Sequence, residues 1–181
     1  MGDPKKRKKK FETPRYAWRK DTLDAELKIL GQYGLRNKHE LWRTHAILSK
    51  YRGLARSLLA KTGEEKILVE EKMLSRLKGL GVIPRDGTLD DVLDLSIEDF
   101  LERRFQTVVQ RLGLAKTSQQ SRQLITHGHI QVDGRIVTSP SFILPKSLED
   151  KVGYAVDSPL SKIEHPIRRE LSAIPTAVKH S

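Results

Sequence analysis

The chain has 181 residues, 34 lysines and arginines against 23 acids, and a formal net charge of +11. That length accommodates one or two small domains, read here as two with modest cores, and the absence of cysteine excludes disulfides, thiolate metal sites and cysteine catalysis. No apolar run approaches the ~20 residues that span a bilayer and no signal-peptide core follows the basic start, so a soluble, cytoplasmic protein with a polyanionic partner is expected.

Residues 1–20 read as a basic N-terminal tail, with nine Lys or Arg against two acids. The run Lys5-Lys6-Arg7-Lys8-Lys9-Lys10 lacks apolar periodicity and is expected to be disordered when free. It fits either a nuclear-localisation cluster or a basic arm threading between RNA helices.

Residues 21–100 read as a helical domain. Within it, residues 28–61 hold eight cations against one acid, and Asn37 with Glu40 caps a long helix over 37–61. Ile47, Tyr51, Leu54 and Leu58, flanked by Leu48, Ala55 and Leu59, form its expected buried stripe. Lys38, Arg43, Lys50, Arg52 and Arg56 fall mostly off that stripe. With Arg36 just upstream, they are candidate RNA contacts, each also explicable as an ordinary solvated cation. Tyr33, Trp42 and Tyr51 could stack on bases, although core packing is the commoner use of such rings.

Residues 62–100 invert the balance, with five cations against ten acids. Thr62 with Glu65 predicts the start of a helix carrying Val69, Met73, Leu77 and Leu80 on one line, and Thr88 with Asp91 starts a short helix at Leu89. Its acids, Glu64, Glu65, Glu70, Glu71, Asp90, Asp91 and Asp94, would repel phosphate. This face therefore points away from RNA or toward a basic protein neighbour, unless it is simply solvated.

Residues 101–157 form the most informative segment. Ser96 with Asp99 caps a helix predicted over 97–112, and Thr117 with Gln120 caps a second over 118–127, ended by Gly128. Ile130 and Val132 then alternate with polar residues, Asp133-Gly134 suits a type I′ turn, and the chain returns as a hairpin. Phe142 to Leu144 and Val152 to Val156 are expected to complete a small antiparallel sheet. Six cations against the single acid Asp133 lie between Arg103 and Arg135. Arg104, Arg111, Lys116, Arg122 and Arg135 are the charged candidates for phosphate contact, and Ser118, Ser121, Gln123, His127 and His129 are candidate hydrogen-bonding groups. Residues 158–181, with Pro159, Pro166 and Pro175 and little periodicity, read as an extended C-terminal tail.

The stretch TSQQSRQLITHGHIQVDGR, with Arg104, Ser118, Ser121, Arg122, His127-Gly128-His129-Ile130 and Gly134 in register, resembles the S-four RNA-binding module. Tyr33-Gly34-Leu35-Arg36-Asn37-Lys38-His39-Glu40-Leu41-Trp42-Arg43 resembles the helical domain that precedes this module in the S-four family of small-subunit ribosomal proteins, and the resemblance covers about Tyr16 to Leu160. It implies a mainly α fold: an N-terminal helical domain plus an αL-type α+β module with two helices on a small antiparallel sheet. The lack of the four zinc-binding cysteines of many bacterial members, Phe105-Gln106 in place of Leu-Asp, and Asp133-Gly134 in place of Asn-Gly favour a non-bacterial member, and the Gly134 turn with the lack of a long acidic tail favours the archaeal over the eukaryotic branch. The function implied is that of a structural rRNA-binding protein of the small subunit. It would bind the 5′ domain of small-subunit rRNA, nucleate assembly of the body and, beside protein S-five, contribute to decoding accuracy.

No Gly-rich phosphate loop, nucleotide-binding fingerprint or metal-ligand cluster accompanies the module, so neither an enzyme, a cofactor, a metal nor a small-molecule substrate is expected. A ribosome-biogenesis factor acting on pre-rRNA is the alternative reading, and a DNA-binding helix-turn-helix protein is a third.

Overall fold

The computed structural model describes residues 9–16, 18–162 and 164–172. Most of the basic run at residues 5–10 and the last proline of the tail lie outside them.

Helix α1, Lys20–Tyr33, stops at Gly34, whose φ of +58° is the left-handed conformation that suits glycine. Helix α2, Lys38–Leu59, starts where the Asn37 side chain accepts the Glu40 N–H at 3.2 Å. Its buried line is Leu41, Thr44, Leu48, Ala55 and Leu58. Leu54 and Leu59, expected to be buried, are exposed: Leu54 falls outside the line of buried residues, and Leu59 is the last residue of the helix.

Helix α3, Glu64–Leu80, begins at Gly63 with no side-chain cap, so the expected Thr62–Glu65 cap is not made. Met73 and Leu77 enter the core, whereas Val69 is exposed, since only the second half of α3 packs against the other helices. Helix α4, Leu89–Asp94, carries the full capping box: the Asp91 carboxylate accepts the Thr88 N–H at 2.6 Å. These helices close over Leu48, Ala55, Leu58, Met73, Leu77, Val92 and Phe100, with Tyr51 and Phe100 stacked at 5.9 Å.

The single helix expected over 97–112 is two. Helix α5, Ile97–Glu102, and helix α6, Phe105–Arg111, are separated by Arg103 and Arg104. The break is made by chain returning from far ahead in sequence. Arg104 bridges Ile143, the Phe105 N–H donates to the Phe142 carbonyl at 2.7 Å, and the Leu144 N–H donates to the Arg103 carbonyl at 3.0 Å. Apolar periodicity runs straight through such a break and does not report it.

Helix α7, Ser118–Thr126, is capped by Thr117, which accepts the Gln120 N–H at 3.1 Å; the Gln120 side chain turns back to the Lys116 N–H at 2.7 Å. Strands β1, Ile130–Val132, β2, Arg135–Ile136, and β3, Val152–Tyr154, form an antiparallel sheet in the order β2-β1-β3. Val132 faces Arg135 on one side and Val152 on the other. Asp133 and Gly134, at φ +51° and +77°, make the type I′ turn that their identities predict. Helices α6 and α7 pack on this sheet around Phe105, Val108, Val109, Leu124, Ile125, Ile130 and Leu144. The fold is thus mainly helical with a small antiparallel sheet.

Among the described residues, the segment after the sheet is not extended. A 3-10 turn, Pro159–Ser161, and helix α8, Pro166–Ser172, fold it back, because Leu160 and Ile167 have an apolar surface to cover. Leu160 is 4% exposed inside the module core. Val156, expected to continue the strand, is exposed.

Candidate nucleic-acid interface

The helical part and the module meet at Glu40, in the first turn of α2. Its carboxylate accepts from Arg104 at 2.9 Å and from Arg122, so one acid neutralises a cation at the start of α6 and another on α7. Beside it, the buried Gln106 amide donates to the Gly34 carbonyl at 3.0 Å and the Ser118 carbonyl at 2.8 Å, and the Ser121 hydroxyl donates to the Gln106 carbonyl at 2.6 Å. Gly34 comes so close to α7 that a Cβ there would collide with the Ser118 side chain. A smaller apolar cluster of Tyr33, Leu35, Leu41 and Leu101 backs the junction.

The electrostatics follow from this packing. Burial pushes the Glu40 carboxyl up, but the Arg122 hydrogen bond and the charges of Arg104 and Arg122 outweigh it and hold the group below the ordinary carboxylate value. Burial lowers Arg104 in turn, against the opposing pull of Glu40.

These contacts correct part of the sequence reading. Arg104 and Ser121, expected on an RNA face, are buried and bonded internally, at 5% and 0% exposure. Arg122 and Ser118 sit at the edge of the same junction and are only partly exposed. Arg52 turns inward to donate to the Leu95 carbonyl, and Lys38 pairs with Glu26 at 2.9 Å. His129 contacts the Ser158 hydroxyl through Nδ1 at 3.0 Å. Arg111 is exposed but engaged with Glu102 at 2.6 Å. Sequence reasoning missed Glu40 and Gln106 as organising residues, since nothing local marks them as partners of groups more than sixty positions away.

The remaining candidates stand in solvent. Arg36, Arg43, Lys50 and Arg56 are exposed at or along α2, and Lys116, Gln123, His127 and Arg135 are exposed on the module. None of these six lysines and arginines has an ion-pair partner among the described residues. An exposed cation without an internal partner is free to meet phosphate, and displaced counterions then drive association. The acids Glu65, Glu71, Asp90, Asp91 and Asp94 are exposed on α3 and α4. Among the described residues no group of three or more His, Asp or Glu side chains could hold a metal, and no helix is long and apolar enough to cross a membrane.

The S4 domain family model matches residues 103–150, the stretch from the α5–α6 break to the segment before β3. Beyond it the similarity extends along nearly the whole chain. Small ribosomal subunit protein uS4 of Picrophilus torridus is 47% identical over 175 residues, covering 95% of this chain and 96% of that protein. Its namesake from Hyperthermus butylicus is 48% identical over 175 residues, covering 96% and 99%. That from Ignicoccus hospitalis is 49% identical over 162 residues, covering 90% and 98%. Near-complete coverage at this identity takes in α1 to α4 as well as the module, and the chain therefore belongs to the uS4 family of small ribosomal subunit proteins.

Proposed function

We propose that this chain is a structural, non-catalytic constituent of the small ribosomal subunit that binds small-subunit rRNA directly. The observation that carries the reading is the Glu40 junction, which joins the cations of α2 and those of the module on one body. Exposed guanidinium and ammonium groups held at fixed separations read the shape of a folded RNA through its phosphates, with few base-edge contacts. The finer assignment is to the 5′ domain of the rRNA, where a binder spanning several converging helices would nucleate folding of the subunit body. The acidic exposed face of α3 and α4 supports a basic protein neighbour on the side away from RNA, taken here as S-five, with a joint contribution to translational accuracy.

Two measurements test this. The chain is expected to sediment with mature small subunits; recovery only in precursor particles would shift the reading to a biogenesis factor. Purified protein is expected to bind the isolated 5′ domain more tightly than other rRNA domains or duplex DNA of equal length. Equal affinity for all of them would overturn the rRNA assignment.

A further inference from the structure

Tyr16 and Trp18 are 61% and 91% exposed, the two most exposed of the described Phe, Tyr and Trp rings. They stand two positions apart in the turn before α1, closed by the Arg19 N–H donating to the Tyr16 carbonyl at 3.4 Å. Across residues 9–20, Lys9, Lys10, Arg15, Arg19 and Lys20 are all exposed against the acid Glu12, with Asp21 exposed just beyond in the first turn of α1. The Arg15 guanidinium lies 5.7 Å from the Tyr16 ring centre.

The segment is anchored close by. Phe11 packs against His39 at 4.7 Å and Trp42 at 5.9 Å, both on α2, and the Lys9 ammonium covers the Phe11 ring at 4.8 Å. One aromatic of the segment is therefore spent on holding it to α2, while two others are left in water among cations.

We propose that Tyr16 and Trp18 stack on unpaired bases of the RNA held by the basic faces. The inference rests on the rRNA reading above and deepens it by naming what this segment takes. Exposed rings interleaved with cations match a single strand, in which each nucleotide offers a planar face to stack and a phosphate to pair. A regular duplex hides those faces and offers phosphates alone. An acidic protein would satisfy the cations but has no need of two flat rings without a pocket.

Tryptophan fluorescence of the full chain reads this directly, because the only other tryptophan, Trp42, is partly buried and donates its indole N–H to Glu26 at 2.9 Å. Titration with oligoadenylate is expected to quench the emission, whereas an abasic oligomer of the same length and charge does not. Trp18→Ala is expected to weaken oligoadenylate binding about ten-fold with the salt dependence unchanged. Trp18→Phe keeps most of the affinity and loses the quenching. Equal quenching by the abasic oligomer, or full affinity in both Trp18→Ala and Tyr16→Ala, overturns the stacking proposal. If the 5′ domain still binds with steep salt dependence in those variants, the rRNA reading survives that failure; if the wild type binds neither oligomer nor the 5′ domain, both fall.

Discussion

The guanidinium of Arg104 lies 2.9 Å from the carboxylate of Glu40 across 64 residues of chain, tying the first turn of α2 to the start of α6. Both side chains are largely out of water, at 6% and 14% exposure. An ion pair this buried adds little net stability over an apolar pair of the same shape, but losing one member leaves a desolvated charge behind. Glu40→Ala orphans Arg104 and strips Arg122 as well. It is expected to lower unfolding stability by about 3–5 kcal/mol in a denaturant titration, with Glu40→Gln losing less because an amide oxygen still accepts. A loss below about 1 kcal/mol for the alanine variant would mean that the junction is not held by this carboxylate.

The same carboxyl makes stability depend on acid. Its folded value lies below the ordinary 4.5, so the unfolded chain takes up the proton first as pH falls. The stabilisation is therefore complete above pH 4.5 and is lost as pH drops through the lower, folded value. Stability of wild type and Glu40→Gln, measured in parallel across acid pH, is expected to differ at neutral pH and to converge below 4.5. A constant difference over that range would place the effect elsewhere.

Gly34 has two reasons to be glycine. Its φ is +58°, and its α-carbon leaves no room for a Cβ beside Ser118. Gly34→Ala is expected to cost about 1–2 kcal/mol from the backbone alone, with more from pushing α7 off the junction. Gly31→Ala is the matched control: it is helical, with nothing within 4 Å of the added methyl, and it should be neutral or stabilising by about 0.4–1 kcal/mol. Equal melting temperatures for the two variants would remove Gly34 from the junction.

What the sequence made legible was local. The Asn37 cap, the boxes at Thr88–Asp91 and Ser96–Asp99, and the Asp133-Gly134 turn are each settled within four residues, and each forms as its residues predict. The break between α5 and α6 was hidden because Pro140 to Leu144 impose it from a distance, and the Glu40 network was hidden for the same reason. Charge type was legible too, but not its use. An arginine committed to an internal acid, such as Arg104, and one left in water, such as Arg135, look alike in sequence and part only when the chain folds.

The C-terminal segment offers a direct check on tertiary packing. Leu160 fills the module core beside Leu124 and Ile125, and α8 is held over the sheet by Arg168, 5.0 Å from the Tyr154 ring. Leu160→Ala is expected to cost about 2–5 kcal/mol, as for other buried leucines. Pro159→Ala, at an exposed position, should cost far less. An unaffected melting temperature in Leu160→Ala would restore the reading of an extended tail.

The division between junction and exposed cations can be read in salt dependence. Lys116, Arg135 and Arg43 are exposed and have no ion-pair partner among the described residues, so each alanine substitution should weaken binding to the rRNA 5′ domain across all salt concentrations and flatten the log–log slope by about 0.7–0.9. Ser121→Ala removes a buried hydroxyl that donates to the Gln106 carbonyl at 2.6 Å. It should lower stability by about 1 kcal/mol while leaving the slope of the folded protein intact. The contrast separates a cation that meets phosphate from a residue that merely holds it in place. Unchanged slopes in all three cation variants would mean that RNA approaches from another face, and a flattened slope in Ser121→Ala would show that the junction itself opens when RNA binds.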